Sequence, residues 1–171
     1  GPLHAAALAE ELQIKEVIVP PIPGAFSALG LIGSDISRDY GKTFFSILDE
    51  TEPNTLEASY IELEKSAREM LSITNVPEEN WILRRSMDVR YIRQAYELNV
   101  DVSNPITSQN FSALPELFHE KHATTYGHAN KEERIQIVTL RLSAKAKLPE
   151  LKIQQSTKTD LADTTKQRFR E

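Results

Sequence analysis

The feature that most constrains the fold is the order in which two helical patterns and four strand patterns follow one another after Ser34. Each helical pattern has one apolar stripe, at spacings of three and four residues that bring side chains to one face of a helix. The first stripe comprises Leu56, Tyr60, Leu63, Ala67 and Met70, and the second comprises Phe111, Leu114, Phe118, His122 and Thr125. Because each helix has only one apolar surface to cover, we expect both helices to pack on the same side of one sheet.

Strands are predicted over residues 36–48, 86–92, 95–102 and 135–146. Met87, Val89 and Tyr91 alternate on odd numbers, whereas Tyr96 and the apolar residues after it alternate on even numbers. This change of phase requires a turn or a bulge around Arg93-Gln94. The order is therefore β-α-β-β-α-β, which indicates a ferredoxin-like α+β fold: a four-stranded antiparallel sheet with two helices on one face.

Further residues are expected to fix the helix ends and the two faces of the sheet. We expect the first helix to begin at Thr55 and Ser112 to cap the second, with Pro115 in the first turn and Gly127 as a left-handed C-cap. The stripe residues Leu56, Leu63, Phe118 and His122 should be buried against the sheet. The opposite face should be polar and hydrated, with contributions from Arg38, Lys42, Asp88, Arg90, Asn99, Asp101, Arg141 and Lys145.

The first 33 residues have a different pattern, helix–strand–helix. A helix is predicted over residues 3–12, a short strand over residues 17–19 that stops at Pro20 and Pro21, and a second helix after Pro23-Gly24. Such a unit is typical of a layer in an α/β domain, where its strand would need parallel neighbours. We therefore divide the chain into residues 1–33, an α+β domain over residues 34–149, and a flexible tail over residues 150–171.

Composition excludes several classes of protein. The net charge of −5 argues against nucleic-acid binding, which requires a basic face. The absence of cysteine rules out disulfide scaffolds and thiolate metal sites. No apolar run is long enough to span a membrane, and no signal peptide is visible, so we expect a cytoplasmic protein.

Two groups of polar residues could carry chemistry. His119 and His122 lie three residues apart, with His128 nearby, whereas a helical zinc-protease motif places two histidines four apart. We therefore favour a partly buried His122 over a metal site. Arg84, Arg85, Arg90 and Arg93 are opposed only by Asp88; they could bind an anion, or they could be the solvated arginines of a strand pair.

Longer stretches resemble one known family. Residues 1–12 (GPLHAAALAEEL), 17–20 (VIVP) and 23–31 (PGAFSALGL) resemble the hydantoinase A/oxoprolinase family, and Asp35 with residues 38–40 (RDY) fits the strand that follows. Residues 89–98 (VRYIRQAYEL) are similar to a second family motif, and Phe118-His119, His122 and residues 126–128 (YGH) to the end of its second helix. The likeness covers roughly residues 1–148. In the second motif the family usually has glycine where this chain has Arg93.

The resemblance implies a fold, cofactors and partners. Residues 1–33 would be the C-terminal remnant of an actin-like ATPase domain, and Gly1, Pro2 and His4 would be the surviving end of its nucleotide-binding turn. The full-length parent would use ATP and Mg²⁺ and act with a B-type subunit or domain, while the isolated fragment would bind no cofactor. Arg90, Gln94 and Glu97 would lie at an interface or on the substrate side, and the catalytic residues would lie outside this chain.

The resemblance also implies a reaction. An amide is a poor electrophile, and phosphorylation of its oxygen gives an activated imidate that water can attack. Hydantoinase, N-methylhydantoinase and oxoprolinase activities open cyclic amides in this way. The chain would then be the C-terminal part of an ATP-dependent amidohydrolase subunit, inactive alone. The alternatives are the equivalent part of an ATP-dependent ketone carboxylase and a non-catalytic assembly module.

Overall fold

A computed structural model describes residues 4–20 and 22–149 of the chain. The described residues contain five α-helices and four strands, joined by loops and three short 3₁₀ turns. The helices are α1 (Ala5–Glu11), α2 (Phe26–Ile32), α3 (Pro53–Ser72), α4 (Ser108–Ser112) and α5 (Leu114–Tyr126). The strands are β1 (Ile36–Ile47), β2 (Trp81–Tyr91), β3 (Leu98–Val102) and β4 (Ile135–Ala146). The predicted tail over residues 150–171 lies outside the described residues.

The four strands form one antiparallel sheet in the spatial order β1-β4-β2-β3. The predicted α+β class and antiparallel sheet are confirmed. The spatial order differs from that of a ferredoxin-like sheet, because β4 rather than β3 separates the parallel strands β1 and β2. β4 lies at the centre of the core: its Ile137, Leu140 and Leu142 have no exposed surface, because α3 and α5 cover them and β1 and β2 flank them.

Helices α3 and α5 cover one face of the sheet, as predicted. Leu56 and Tyr60 of α3 and Phe118 of α5 are almost completely buried in one core with apolar residues of all the inner strands. Farther along α3, Ala67 and Leu71 pack on Leu142, Ala144 and Ala146 of β4 in a second core. Leu63 is half-buried and contacts both cores. The apolar stripes therefore do face the sheet.

The ends of the helices differ from the prediction in two respects. α3 begins at Pro53, two residues before the predicted Thr55, because proline fits the first turn of a helix. Thr107, not Ser112, supplies the N-cap, because α4 precedes α5 and begins with a capping box between Thr107 and Asn110. Ser112 is instead the last residue of α4, and its hydroxyl donates to the carbonyl of Gln109. The other two predictions are confirmed: Pro115 lies in the first turn of α5, and Gly127 ends that helix with φ of 79°.

The segment before β1 contains both predicted helices, α1 and α2, but not the predicted strand. Residues 17–19 have no strand assignment, and Ile18 is 85% exposed. A strand needs a neighbour that pairs with its backbone, and none of the four described strands pairs with this segment. Eight other large apolar side chains of α1, α2 and their linker are also more than half exposed: Leu8, Leu12, Ile14, Val19, Ile22, Phe26, Leu31 and Ile32.

Candidate functional site

Two sequence stretches that resemble family motifs meet at the end of the sheet where β2 leaves it. Tyr91 is the last residue of β2 and Gln94 follows in the turn, while His119 and His122 lie on the buried side of α5. The Tyr91 hydroxyl lies 2.7 Å from Nδ1 of His119, and Nε2 of Gln94 lies 2.9 Å from Nε2 of His122. We refer to these four residues as the histidine junction.

The turn after β2 orients Gln94 toward α5. The Gln94 N–H donates to the carbonyl of Tyr91 at 3.1 Å, which closes a four-residue turn with Arg93 at its third position. Arg93 has φ of 68°, the left-handed conformation that a type II turn requires there and that glycine adopts most easily. The conformation therefore matches the family pattern although the residue does not.

Hydrogen bonding fixes the proton of His122. Its Nδ1 lies 2.6 Å from the carbonyl oxygen of His128, and a carbonyl can only accept, so Nδ1 carries the proton. In the neutral ring Nε2 then accepts from the Gln94 amide, whose oxygen accepts from the Tyr91 N–H at 3.3 Å. Both ring nitrogens of His122 are therefore occupied by protein groups. Among residues 4–20 and 22–149 no three acidic or histidine side chains could hold a metal ion together.

Hydrogen bonding favours one tautomer of His119. The Tyr91 hydroxyl accepts from the Asn130 N–H at 3.0 Å and has one proton of its own, which Nδ1 of His119 can accept at 2.7 Å. We assign to the neutral ring the tautomer that uses this donor, with its own proton on Nε2. Burial lowers the pKa of His119, an effect that the nearby Glu116 carboxylate opposes. The lowered pKa favours the neutral ring at pH 7, and in the assigned tautomer Nε2–H is the donor on the side away from Tyr91.

A cavity of 280 Å³ adjoins His119. It lies between the α4–α5 segment, the turn after β1 and the loop before β4, and its apolar lining includes Leu48, Phe111 and Ile135. Three ion pairs border it. Lys131 bonds Glu116 at 2.6 Å, and Arg134 bonds both Asp49 and Glu50, which holds the pKa of Asp49 below its ordinary value.

The four arginines of the predicted basic patch do not lie together. Arg85 points to the helix-covered face, where its guanidinium bonds Glu57 and Glu64 at 2.6 and 2.7 Å with only 1% of the side chain exposed. Arg84 and Arg90 have the opposite strand parity and lie on the other face, and Arg93 lies in the turn. The alternation of β2 therefore separates residues that are adjacent in sequence.

The second face of the sheet, which neither α3 nor α5 covers, carries most of the polar residues expected there. We refer to it as the open face. Arg90 donates to Gln136 at 3.1 Å and lies 3.8 Å from Glu97, with its guanidinium over the ring of Phe45. Gln94 is separated from Arg90 and Glu97, because its side chain turns to the histidine junction.

Asp88, Asn99 and Arg141 form a polar network on the open face. The sequence placed each of them on this face but did not indicate that they bond to one another. Asp88 is buried, accepts from Arg141 and Asn99, and borders a cavity of 500 Å³.

Two residues that were expected on the open face lie on the helix-covered face. Lys42 bonds Ser59 and Glu62 of α3, and Arg38 lies over the ring of Tyr40, whose hydroxyl bonds α3. Arg38 and Lys42 each lie two residues from Tyr40 in β1, so strand alternation places all three side chains on the face that α3 covers.

Of the predicted nucleotide-binding residues, Gly1 and Pro2 lie outside the described residues. His4 is exposed and precedes α1, a helix of seven residues, without a side-chain capping bond. Within the described parts of the chain, no helix has the length and apolar character to cross a membrane.

Comparison with known proteins identifies relatives. Residues 1–40 match the family model described as hydantoinase/oxoprolinase. The chain is 36% identical over 144 residues to an uncharacterized protein of Methanocaldococcus jannaschii, covering 84% of this chain and 20% of that protein. It is 24% identical over 136 residues to the acetone carboxylase beta subunit of Xanthobacter autotrophicus, covering 74% and 19%.

A solved structure resembles the fold as well. The ATP-dependent caprolactamase from Pseudomonas jessenii superimposes with a TM-score of 0.66 and 26% identity, over 86% of this chain and 22% of that one. The chain thus spans about a fifth of the length of these relatives. The resemblance to hydantoinase A/oxoprolinase proteins that the sequence predicted is confirmed.

Proposed function

We propose that the chain is a domain of an ATP-dependent enzyme of the hydantoinase/oxoprolinase type, which opens a cyclic amide. The histidine junction carries this proposal, because two stretches with separate family likenesses are in direct contact through Tyr91–His119 and Gln94–His122. The match of residues 1–40 and the likeness to caprolactamase support it independently.

The described residues do not fit a site for ATP and Mg²⁺. His4 stands at the start of a seven-residue helix, and no cluster of metal ligands occurs among residues 4–20 and 22–149. A helix N-terminus contributes about 1 kcal/mol toward an anion, whereas micromolar affinity requires about −8 kcal/mol. We therefore assign no phosphoryl-transfer step to these residues. In our proposal the full-length parent binds ATP and Mg²⁺ through other parts of the protein.

The role that we assign to the α+β domain is assembly. Its helix-covered face is occupied by the core, whereas the open face presents charged and polar side chains such as Arg90, Asp101 and Arg141. Mixed polar surfaces are usual where subunits or domains meet without an obligate apolar core. We propose that this face contacts the ATPase portion of the parent or a B-type subunit in the cytoplasm.

The decisive experiment uses the full-length parent with its B-type subunit. We expect phosphate release from ATP that depends on a cyclic amide, with the ring-opened acid detected by mass spectrometry. Absence of amide-dependent phosphate release with hydantoin, lactam and oxoproline substrates would contradict the proposal. In parallel, titration of the 171-residue chain with Mg-ATP in a calorimeter should give no micromolar binding; such binding would contradict the placement of the nucleotide site in other parts of the parent.

The similarity to the acetone carboxylase beta subunit favours a second candidate, the ATP-dependent carboxylation of a ketone. The same phosphate-release assay separates the two reactions. Stimulation by acetone with bicarbonate, but not by cyclic amides, would favour the carboxylase.

A further inference from the structure

We propose that the cavity beside His119 binds a small neutral carbonyl compound, an amide or a ketone, whose oxygen accepts a hydrogen bond from Nε2–H of His119. The existence of the site rests on the geometry of this chain. Only the choice of amides as the first probes rests on the proposed function.

The size and lining of the cavity favour a small ligand with an apolar body. Its volume of 280 Å³ is at the lower limit of known ligand sites, which span about 300–1,000 Å³. Leu48, Phe111, Pro115 and Ile135 supply apolar surface. A single ring of five to seven atoms, about the size of a lactam, matches this combination of volume and surface.

His119 provides one directed polar group in this lining. The residue is 6% exposed, and Tyr91 occupies its Nδ1. Nε2 has no protein partner among the described residues. Every fully buried side-chain nitrogen or oxygen of these residues does have a partner, so Nε2 is not fully buried. Because His119 lines the cavity, we infer that Nε2 is accessible from it. In the assigned tautomer the Tyr91 hydroxyl donates to Nδ1, and the proton on Nε2 is available to an acceptor. A carbonyl oxygen is such an acceptor.

The charges around the cavity disfavour an anion. Its lining and the ion pairs at its border hold five carboxylates and two cations: Asp49, Glu50, Glu116, Glu132 and Glu133 against Lys131 and Arg134. Both cations are already paired with carboxylates at 2.6–2.9 Å. A carboxylate or phosphate ligand would meet repulsion without an unpaired cation. A neutral ligand avoids this cost.

The test compares two lactams that share one ring. 2-Pyrrolidone is neutral, whereas 5-oxoproline carries an additional ionised carboxylate at pH 7. We would titrate each into the full 171-residue chain and follow backbone amide shifts by two-dimensional NMR. The expected result is saturable shifts at residues lining the cavity, including Phe111, His119 and Ile135, with 2-pyrrolidone binding at least tenfold more tightly than 5-oxoproline.

Two tryptophan variants provide a matched pair. Ser112→Trp adds a large side chain to an exposed residue of the lining without removing a buried group, and it should reduce binding of 2-pyrrolidone at least tenfold. Ser108→Trp makes the same change at an exposed residue of α4 that does not line the cavity, and it should bind like the wild type. His119→Phe, which keeps a ring but lacks the donor, should reduce binding by a similar factor.

Three results would overturn the inference: shifts that do not map to the cavity, binding that survives Ser112→Trp, or 5-oxoproline that binds as tightly as 2-pyrrolidone. Because the chain is titrated without ATP or a partner subunit, failure here leaves the phosphate-release assay of the parent unaffected. Conversely, loss of amide-dependent phosphate release in the parent leaves this binding result standing.

Discussion

On the helix-covered face of the sheet, Arg85 has 1% of its side chain exposed and is held by two carboxylates from α3. On the open face, Arg141 pairs with Asp88 while 55% of its side chain remains in contact with solvent. Both are arginine–carboxylate contacts on neighbouring strands of the same sheet. They differ in whether water can take the place of the partner if the contact is lost.

This difference separates charged side chains that stabilise the fold from charged side chains that can bind another molecule. A buried guanidinium that loses its partners leaves uncompensated charge in a medium that solvates it poorly. An exposed one is rehydrated, so its pairing contributes little to stability and it remains able to bind another molecule. The covered face should therefore tolerate few substitutions, and the open face many. Four predictions test this division and a fifth tests the backbone, in order of decreasing effect.

The largest contrast is between adjacent residues of β4. Leu142 is completely buried under α3, and Ser143 points to the open face between Asp39 and Arg84 of the neighbouring strands. Leu142→Asp places an unpaired charge in the core and should cost more than about 4 kcal/mol, so that the domain does not fold. Ser143→Asp should change the free energy of unfolding by no more than about 0.5 kcal/mol. Urea denaturation followed by circular dichroism measures both, and equal effects would show that the faces are not distinct.

Removal of an arginine should follow the same division. Arg85→Ala leaves Glu57 and Glu64 without their partner and should lower the free energy of unfolding by about 3–5 kcal/mol. Arg90→Ala removes a half-buried side chain whose neighbours Gln136 and Glu97 can bind water, and it should cost no more than about 1 kcal/mol. If Arg90→Ala prevented folding, the assignment of Arg90 to the open face would be wrong.

Arg85→Ala should also alter the acid sensitivity of the domain. Burial would raise the pKa of Glu57, but hydrogen bonds from Arg85 and from the Ile106 N–H outweigh it and hold that pKa below its ordinary value. A lowered pKa in the folded state contributes stability above the ordinary pKa of glutamate, and this stability is lost as the pH falls through the folded value. Arg85→Ala should therefore reduce the loss of stability between neutral pH and acid, measured as the pH dependence of the urea midpoint.

The turn after β2 offers a contrast between two residues three positions apart. Gln94→Ala leaves Nε2 of the buried His122 without a donor and should cost about 1–3 kcal/mol. Glu97→Ala removes an exposed partner of Arg90 and should cost no more than about 0.5 kcal/mol. Thermal unfolding of the two variants measures the difference. A Gln94→Ala variant as stable as Glu97→Ala would show that the Gln94–His122 hydrogen bond does not stabilise the fold.

The smallest expected effect concerns the backbone rather than a face. Arg93 adopts φ of 68°, which costs a residue with Cβ of the order of 1 kcal/mol. Arg93→Gly relieves this cost but increases the entropy of the unfolded chain. We expect a net stabilisation of no more than about 1 kcal/mol, measured by urea denaturation. A clear loss of stability would indicate that the arginine side chain itself makes a stabilising contact.

Local periodicity was sufficient to predict the order of elements, the apolar stripes and the face on which both helices lie. Residue type predicted Pro115 and Gly127 correctly, because proline has a fixed φ that suits the first turn of a helix and glycine has no Cβ to oppose a left-handed φ. Ser112 was misread because two capping candidates lie five residues apart, and only the capping box between Thr107 and Asn110 decides between them. The strand predicted at residues 17–19 shows the limit of propensity, since a strand exists only if another strand pairs with it.

The spatial order of strands and the histidine junction could not be read from periodicity. Both depend on contacts between residues far apart in sequence, such as Tyr91 with His119. Periodicity placed His122 on the apolar stripe but gave no reason to bury His119, which is 6% exposed because the Tyr91 hydroxyl satisfies its Nδ1. The family likeness had indicated both stretches without indicating that they touch.

The central position of β4 has a consequence for how the chain can fold during synthesis. β1 is made before the other three strands, yet its hydrogen-bonding partner in the sheet is β4, and the Leu148 N–H closes that end by donating to Asp35, 113 residues away in sequence. Until residues 135–146 are made, β1 and β2 have no strand between them, and the apolar faces of both stay uncovered. Such long-range pairing slows folding. At about 5–20 residues per second, the nascent chain spends several seconds with the core unfinished, a period in which chaperone binding would matter most.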